Sequence, residues 1–293
     1  KDWVGISAEL NPPTNSDDQT SLLTVSANGQ TALAGEYPIS FSPTLERLGS
    51  GFAFPAGDRI VVVDDRLREV RHIELDKAGR FTSSASSPDG TEAVFAFNAG
   101  VEDDGEISSM VVRVTSSGET ATEHVRGALL GLTICRNGGA QWLAAPYNAK
   151  PSTVRMVRWT DDGGVQAGRE YQTGSMMAKG GSPIVCGDEA EDDRGYAIVM
   201  SESRSDYRIL EVSLGGGPDP ESEIRVPALA GDTQAWGTSK GVIYWITREG
   251  KLNYVDLTGE PRSGFIDLPL GGDIAITATF EGNAAYVVHY PND

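Results

Sequence analysis

Ala85-Ser86-Ser87-Pro88-Asp89-Gly90-Thr91-Glu92-Ala93-Val94-Phe95-Ala96-Phe97 reads as one hairpin: a short strand, a four-residue reversal and a second, apolar strand. Proline presets φ for the reversal, the aspartate caps its own turn, and glycine takes the left-handed position. Outward from it, Gly-centred reversals between strand-like runs recur at Gly49, Gly90, Gly138, Gly187, Gly241 and Gly282, spaced by 41, 48, 49, 54 and 41 residues. A second series of hairpins interleaves with the first. It pairs Ser21–Ala27 with Thr31–Tyr37, Arg59–Asp65 with Leu67–Leu75, and Ser109–Thr115 with Glu119–Val125. It continues with Thr153–Thr160 and Val165–Tyr171, Tyr207–Ser213 and Glu223–Val226, and Lys251–Leu257 and Arg262–Leu268. Runs such as Met110-Val111-Val112-Arg113-Val114 alternate with period two or are β-branched, and almost nothing sustains a helical period.

Two interleaved sets of six hairpins make six four-stranded units. A repeat of about 50 residues with four strands each is the pattern of propeller blades, in which radial repetition shields sheet edges. The expected fold is an all-β six-bladed β-propeller forming a single domain over residues 1–293. Seven blades is the alternative count, because Trp3–Leu10 is also strand-like. The chain finishes with only the first hairpin of a unit, Ile274–Thr279 with Ala284–His289, and begins with only the second. Residues 1–37 and 273–293 are therefore expected to complete one closing blade, with Ala284–His289 hydrogen-bonded to Ser21–Ala27.

The Ser87-Pro88-Asp89-Gly90 hairpin resembles that of TolB-like propellers and of the related lactonase-like and surface-layer repeat propellers. The turns Arg136-Asn137-Gly138 and Phe280-Glu281-Gly282 depart from it. The resemblance implies architecture and transfers no catalytic residue, since such propellers include binding scaffolds and hydrolases alike.

A net charge of −18 argues against nucleic acid as a partner, because affinity for phosphate backbones rests on Lys and Arg. No apolar run approaches the length of a membrane span; Ile60-Val61-Val62-Val63 is among the longest. The sequence opens at Lys1 without Met or an apolar leader, which fits a mature exported chain or a trimmed one. A secreted or cell-envelope location is expected. Cys135 and Cys186 match no zinc spacing; they lie on equivalent strands of neighbouring units with side chains facing the same way, which slightly favours a disulfide.

In a propeller the loops joining second to third strands, and unit to unit, gather at one channel mouth. Ala230-Gly231-Asp232 and Gly271-Gly272-Asp273 end two such loops, so Asp232 and Asp273 are candidate ligands for a hard cation such as calcium, or a general acid and base. The competing reading is two turn caps facing water. Arg80 and Lys179 occupy related loops and are candidates for an anion, and Tyr147 and Trp236 for stacking on a sugar or peptide. Packing between blades is the plainer role for the aromatics, and solvation for the cations. The acidic runs at 102–106 and 188–193 lack the alternation of an EF-hand and read as solvated loops. Gly237-Thr238-Ser239-Lys240-Gly241 has the letters of a nucleophile elbow but falls in a strand–turn–strand hairpin. With no catalytic set assigned, the expected function is a non-catalytic binding or scaffold module presenting the mouth to a protein, peptide or glycan. The alternative is a secreted hydrolase or lactonase using mouth carboxylates and a divalent metal.

Overall fold

The computed structural model describes residues 3–9, 19–25, 31–38, 44–76, 79–103, 105–135, 139–146, 152–160, 164–174, 177–178, 182–187, 193–201, 207–215, 224–225, 233–239, 241–247, 251–258, 262–267, 274–281 and 284–291. The chain divides into two compact units, Lys1–Arg136 and Asn137–Asp293.

In the first unit, β1 (Trp3–Glu9), β2 (Gln19–Val25) and β3 (Thr31–Pro38) form a three-stranded antiparallel sheet. Four-stranded meanders follow: β4 (Glu46–Leu48), β5 (Gly51–Ala56), β6 (Arg59–Val63) and β7 (Glu69–Glu74), then β8 (Phe81–Ser86), β9 (Glu92–Val101), β10 (Ile107–Thr115) and β11 (Thr120–Arg126). β12 (Ala128–Cys135) ends the unit.

Each central strand is apolar on both faces because it is covered on both. Ile60 and Val62 of β6 join Phe95, Phe97, Met110 and Val112 in one core cluster. Val61 and Val63, on the opposite face, join Leu22, Tyr37 and Phe54 in another. Period-two side-chain placement thus makes the unbroken run at 60–63 a signature of a sheet packed between two sheets. Burial of each such side chain contributes about 1.5–3 kcal/mol. Tyr37 and Phe54 meet edge-to-face at 4.9 Å.

The turns do the stitching. Gly90 has φ +71°, its N–H closes the reversal on Ser87 C=O at 2.9 Å, and its C=O accepts from Gly49 N–H in the neighbouring sheet's turn at 2.7 Å. Asp89 Oδ1 accepts from Thr91 N–H, Ser87 Oγ and Thr91 Oγ1, and these bonds hold its carboxyl down at about 2. Arg71 of β7 reaches across to donate to Gly118 C=O at 2.6 Å and Thr115 C=O at 2.7 Å.

In the second unit, β13 (Gly139–Ala145), β14 (Ser152–Trp159) and β15 (Val165–Ala167) run in order, and β16 (Tyr171–Gly174) also pairs with β14. The next sheet contains β17 (Met177–Ala178), β18 (Ile184–Val185), β19 (Arg194–Met200), β20 (Tyr207–Ser213) and β21 (Ile224–Arg225). Then come β22 (Thr233–Ser239), β23 (Val242–Thr247), β24 (Lys251–Asp256) and β25 (Arg262–Asp267), and a two-stranded pair, β26 (Ile274–Glu281) and β27 (Ala284–Pro291). Tyr196, Ile198, Ile209, Ile243 and Trp245 pack between sheets here as Phe95 and Ile60 do in the first unit.

One expected pairing is not made. Ala284–His289 lies in the two-stranded sheet, and residues 21–25 lie in the sheet of β1 and β3. Both edges of β2 are occupied, by Trp3↔Val25 through Glu9↔Gln19 on one side and Gln19↔Pro38 through Val25↔Thr31 on the other. Closing a short loop between β1 and β2 costs far less chain entropy than joining opposite ends of the sequence, so β1 takes the edge first.

Candidate functional site

A cleft is built on the sheet of β8–β11, at its outer side, because β11 is the terminal strand. β9 and β10 are joined by a turn that Glu102 N–H closes on Glu106 C=O at 2.8 Å and Gly105 N–H on Glu102 C=O at 2.9 Å. Just before it the ladder slips: Asn98 faces Ser109 and Gly100 faces Ser108, leaving Ala99 as the extra residue of a bulge. Gly100 sits at φ +122°, open to glycine, and its N–H donates to Asn98 Oδ1 at 3.0 Å. A bulge re-aims side chains, and here adjacent serines are both buried. Ser109 Oγ donates to Gly127 C=O at 2.9 Å. Ser108 lines a cleft of about 370 Å³ with Glu102, Asp103, His124, Val125 and Arg126. Cross-strand register delivers the far wall, since Ser108 opposes Arg126 and Met110 opposes His124.

Arg80 precedes β8 and is exposed. Its C=O accepts from Asn98 N–H at 2.8 Å, and Gly79 beside it lies so close to Asn98 C=O that a Cβ would stand 1.8 Å from the oxygen. The backbone at Arg80 is thereby fixed at the strand end that leads into the 98–106 loop. Trp236 lies on β22, opposite Trp245 of β23. Tyr147, Lys179, Asp232 and Asp273 lie outside the described residues.

A second cluster is internal. Asp193, 2% exposed, accepts from the Gln141 amide, from Arg158 Nη2 at 3.2 Å and, through Oδ1, from Gly187 N–H at 2.8 Å. Register places Gln141 directly opposite Arg158 on β13 and β14. Glu92 similarly accepts from Arg113 Nε and Nη2, each at 2.5 Å. These are braces between strands. Cys135 and Cys186 are both disulfide-bonded, the state the sequence favoured. Ser239 ends β22 and Gly241, at φ +79°, turns the chain directly into β23, so the Gly237–Gly241 stretch is a hairpin and no nucleophile elbow. His72 hydrogen-bonds Glu69 at 2.9 Å and contacts Glu74 at 3.2 Å on the outer strand β7.

No family model matches this sequence, and no curated protein does. Solved structures are similar in shape. The Pyrococcus horikoshii acylaminoacyl peptidase superposes with a TM-score of 0.56 at 12% identity over 98% of this chain, which spans 47% of the peptidase chain. A protein from Lactobacillus plantarum gives 0.52 at 11% identity, covering 91% of this chain and 82% of that one. Kluyveromyces lactis Hsv2p gives 0.51 at 11%, covering 87% and 75%. At such identities the likeness concerns fold alone. With its four-stranded antiparallel meanders, it shows that the chain is a β-propeller, the architecture implied by the Ser87-Pro88-Asp89-Gly90 turn.

Proposed function

We propose that this propeller is a non-catalytic extracytoplasmic binding module whose channel mouth, with Arg80, Tyr147 and Lys179 as loop candidates and Trp236 on β22, receives a protein, peptide or glycan. The observation that carries this reading is where the buried charges go. Glu92 with Arg113 braces the paired strands β9 and β10, and Asp193 with Arg158 ties the start of β19 to β14 of a different sheet, so the chemistry offered to a partner is that of exposed loop groups on a rigid scaffold. The disulfide-bonded state of Cys135 and Cys186 supports an oxidising compartment. Among the described residues no helix is long and apolar enough to cross a membrane.

Glycan and peptide arrays probed with the wild-type protein and with Arg80→Ala and Trp236→Ala test this. Capture of a ligand class by wild type, weakened by either substitution, is the expected result. Calcium-dependent turnover of ester or lactone substrates, abolished by Asp232→Asn or Asp273→Asn, would replace it with a metal-assisted hydrolase.

A further inference from the structure

The chain has two cysteines and neither is free, so Cys135 and Cys186 are bonded to each other. Their surroundings differ. Cys135 ends β12 and is 3% exposed, whereas Cys186 is an exposed residue directly after β18. The backbone of Cys186 is held on both sides: Val185 pairs with Arg194 in the ladder to β19, and Gly187 N–H donates to Asp193 Oδ1 at 2.8 Å. Thiol–disulfide exchange is a displacement at sulfur in which access decides which sulfur is attacked and which one leaves. An exposed cysteine on a fixed backbone, bonded to a buried one, therefore gives the bridge a direction.

We infer that Cys186 is the exchange cysteine of this bridge, the one that forms the mixed disulfide with a dithiol–disulfide exchange protein, and that Cys135 is the resolving cysteine. In bridge formation the Cys186 thiolate attacks the partner's disulfide; that S–S bond breaks, and one partner sulfur leaves as a thiolate and takes up a proton. Cys135 then gives up its proton, attacks Cys186 Sγ and expels the partner's other sulfur. The two cysteine thiols are oxidised by two electrons, and the partner's disulfide is reduced to a dithiol. In opening, an external thiolate attacks Cys186 Sγ, and the Cys135 sulfur leaves and is protonated. The sequence after Gly187, Asp188-Glu189-Ala190-Glu191-Asp192, keeps a run of carboxylates tethered within a few residues of Cys186, and such a field disfavours anionic thiols. A partner whose surface around its own reactive cysteine is uncharged or basic fits this site.

The test uses the whole chain and its single-cysteine variants, which lose the bridge alike. Cys135→Ala, which keeps Cys186, should react with dithiodipyridine at least about tenfold faster than Cys186→Ala, because the buried thiol reacts only through local opening. Bridged wild type is opened briefly with cysteamine, quenched in acid, alkylated and digested with trypsin. Cysteamine should stand on peptide 180–194, which holds Cys186, and the alkyl group on peptide 127–136, which holds Cys135. Compared per thiolate, cysteamine should also outpace mercaptoethanesulfonate, with the gap closing in high salt. Equal rates in the two variants, a faster Cys186→Ala, cysteamine found on 127–136 as often as on 180–194, or opening that needs denaturant overturns the inference. Equal rates with the two thiols overturns the charge preference.

Discussion

Removing the Asp193 carboxylate should be among the most damaging single changes in the second unit. Arg158 Nη2 lies 3.2 Å from Asp193, with side chains 11% and 1% exposed, and the same carboxylate also accepts from Gln141 and Gly187 N–H. Asp193→Ala takes a buried carboxylate away from the Arg158 guanidinium, the Gln141 amide and Gly187 N–H together, and breaking a buried pair in this way costs about 3–5 kcal/mol. For a protein of this size that is a fall in Tm on the order of 10 °C. Arg158→Met added to Asp193→Ala removes the buried guanidinium as well, so the double variant should be more stable than Asp193→Ala alone, still short of wild type because Gln141 and Gly187 lose their acceptor. Urea titrations followed by circular dichroism measure all three. A loss below about 1 kcal/mol in Asp193→Ala, the value of an exposed pair, or a double variant no better than the single one, refutes the reasoning.

Gly51→Ala should destabilise the β4–β7 sheet by about 1–3 kcal/mol in thermal melts, because its Cβ would stand 2.0 Å from the backbone oxygen of Val63. Asp89, held at about 2 by bonds from Thr91 and Ser87 against an ordinary 3.8, contributes stability that is present above about pH 4 and lost as pH falls through 2. Asp89→Asn should flatten the Tm profile over that window. Burial raises Tyr37, Tyr196 and Tyr244 above 10.0, so their contribution holds below pH 10 and disappears as the solution becomes more alkaline, a loss readable from tyrosinate absorbance and unfolding together. Reduction of the disulfide should lower stability by about 4 kcal/mol, since it closes a loop of about 50 residues in the unfolded chain, measured as a shift in urea midpoint with and without reductant.

The blade pattern was legible because its signals are local. The Asp89-Gly90 reversal and the run at 60–63 each state their structure within a few residues: one needs a left-handed position, the other needs cover on both faces. The partner of β2 was not legible. Trp3–Glu9 and Ala284–His289 have similar strand character, and only the economy of the shorter connection selects between them. The cleft lay half in view. Glu102 and Asp103 were read as solvated and are exposed, but their proximity to His124 depends on the register of β10 against β11, and the burial of Ser108 beside Ser109 depends on the bulge at Ala99. Gly100, at φ +122°, is the one residue whose identity hinted at that bulge.

Within the meanders at 46–74, 81–126 and 233–267, each strand pairs with the strand before or after it in sequence. During synthesis such a sheet can assemble once its own residues, some thirty to fifty of them, have left the ribosome, without waiting for distant sequence. Its faces are another matter. Ile60 and Val62 need Phe95 and Phe97, which emerge later, so each new sheet spends the interval with a sticky face uncovered. At about 5–20 residues per second that interval lasts a few seconds per sheet. Slow codons placed just after a meander would lengthen it, and a nascent-chain holdase acting on this protein would find its target in those waiting faces.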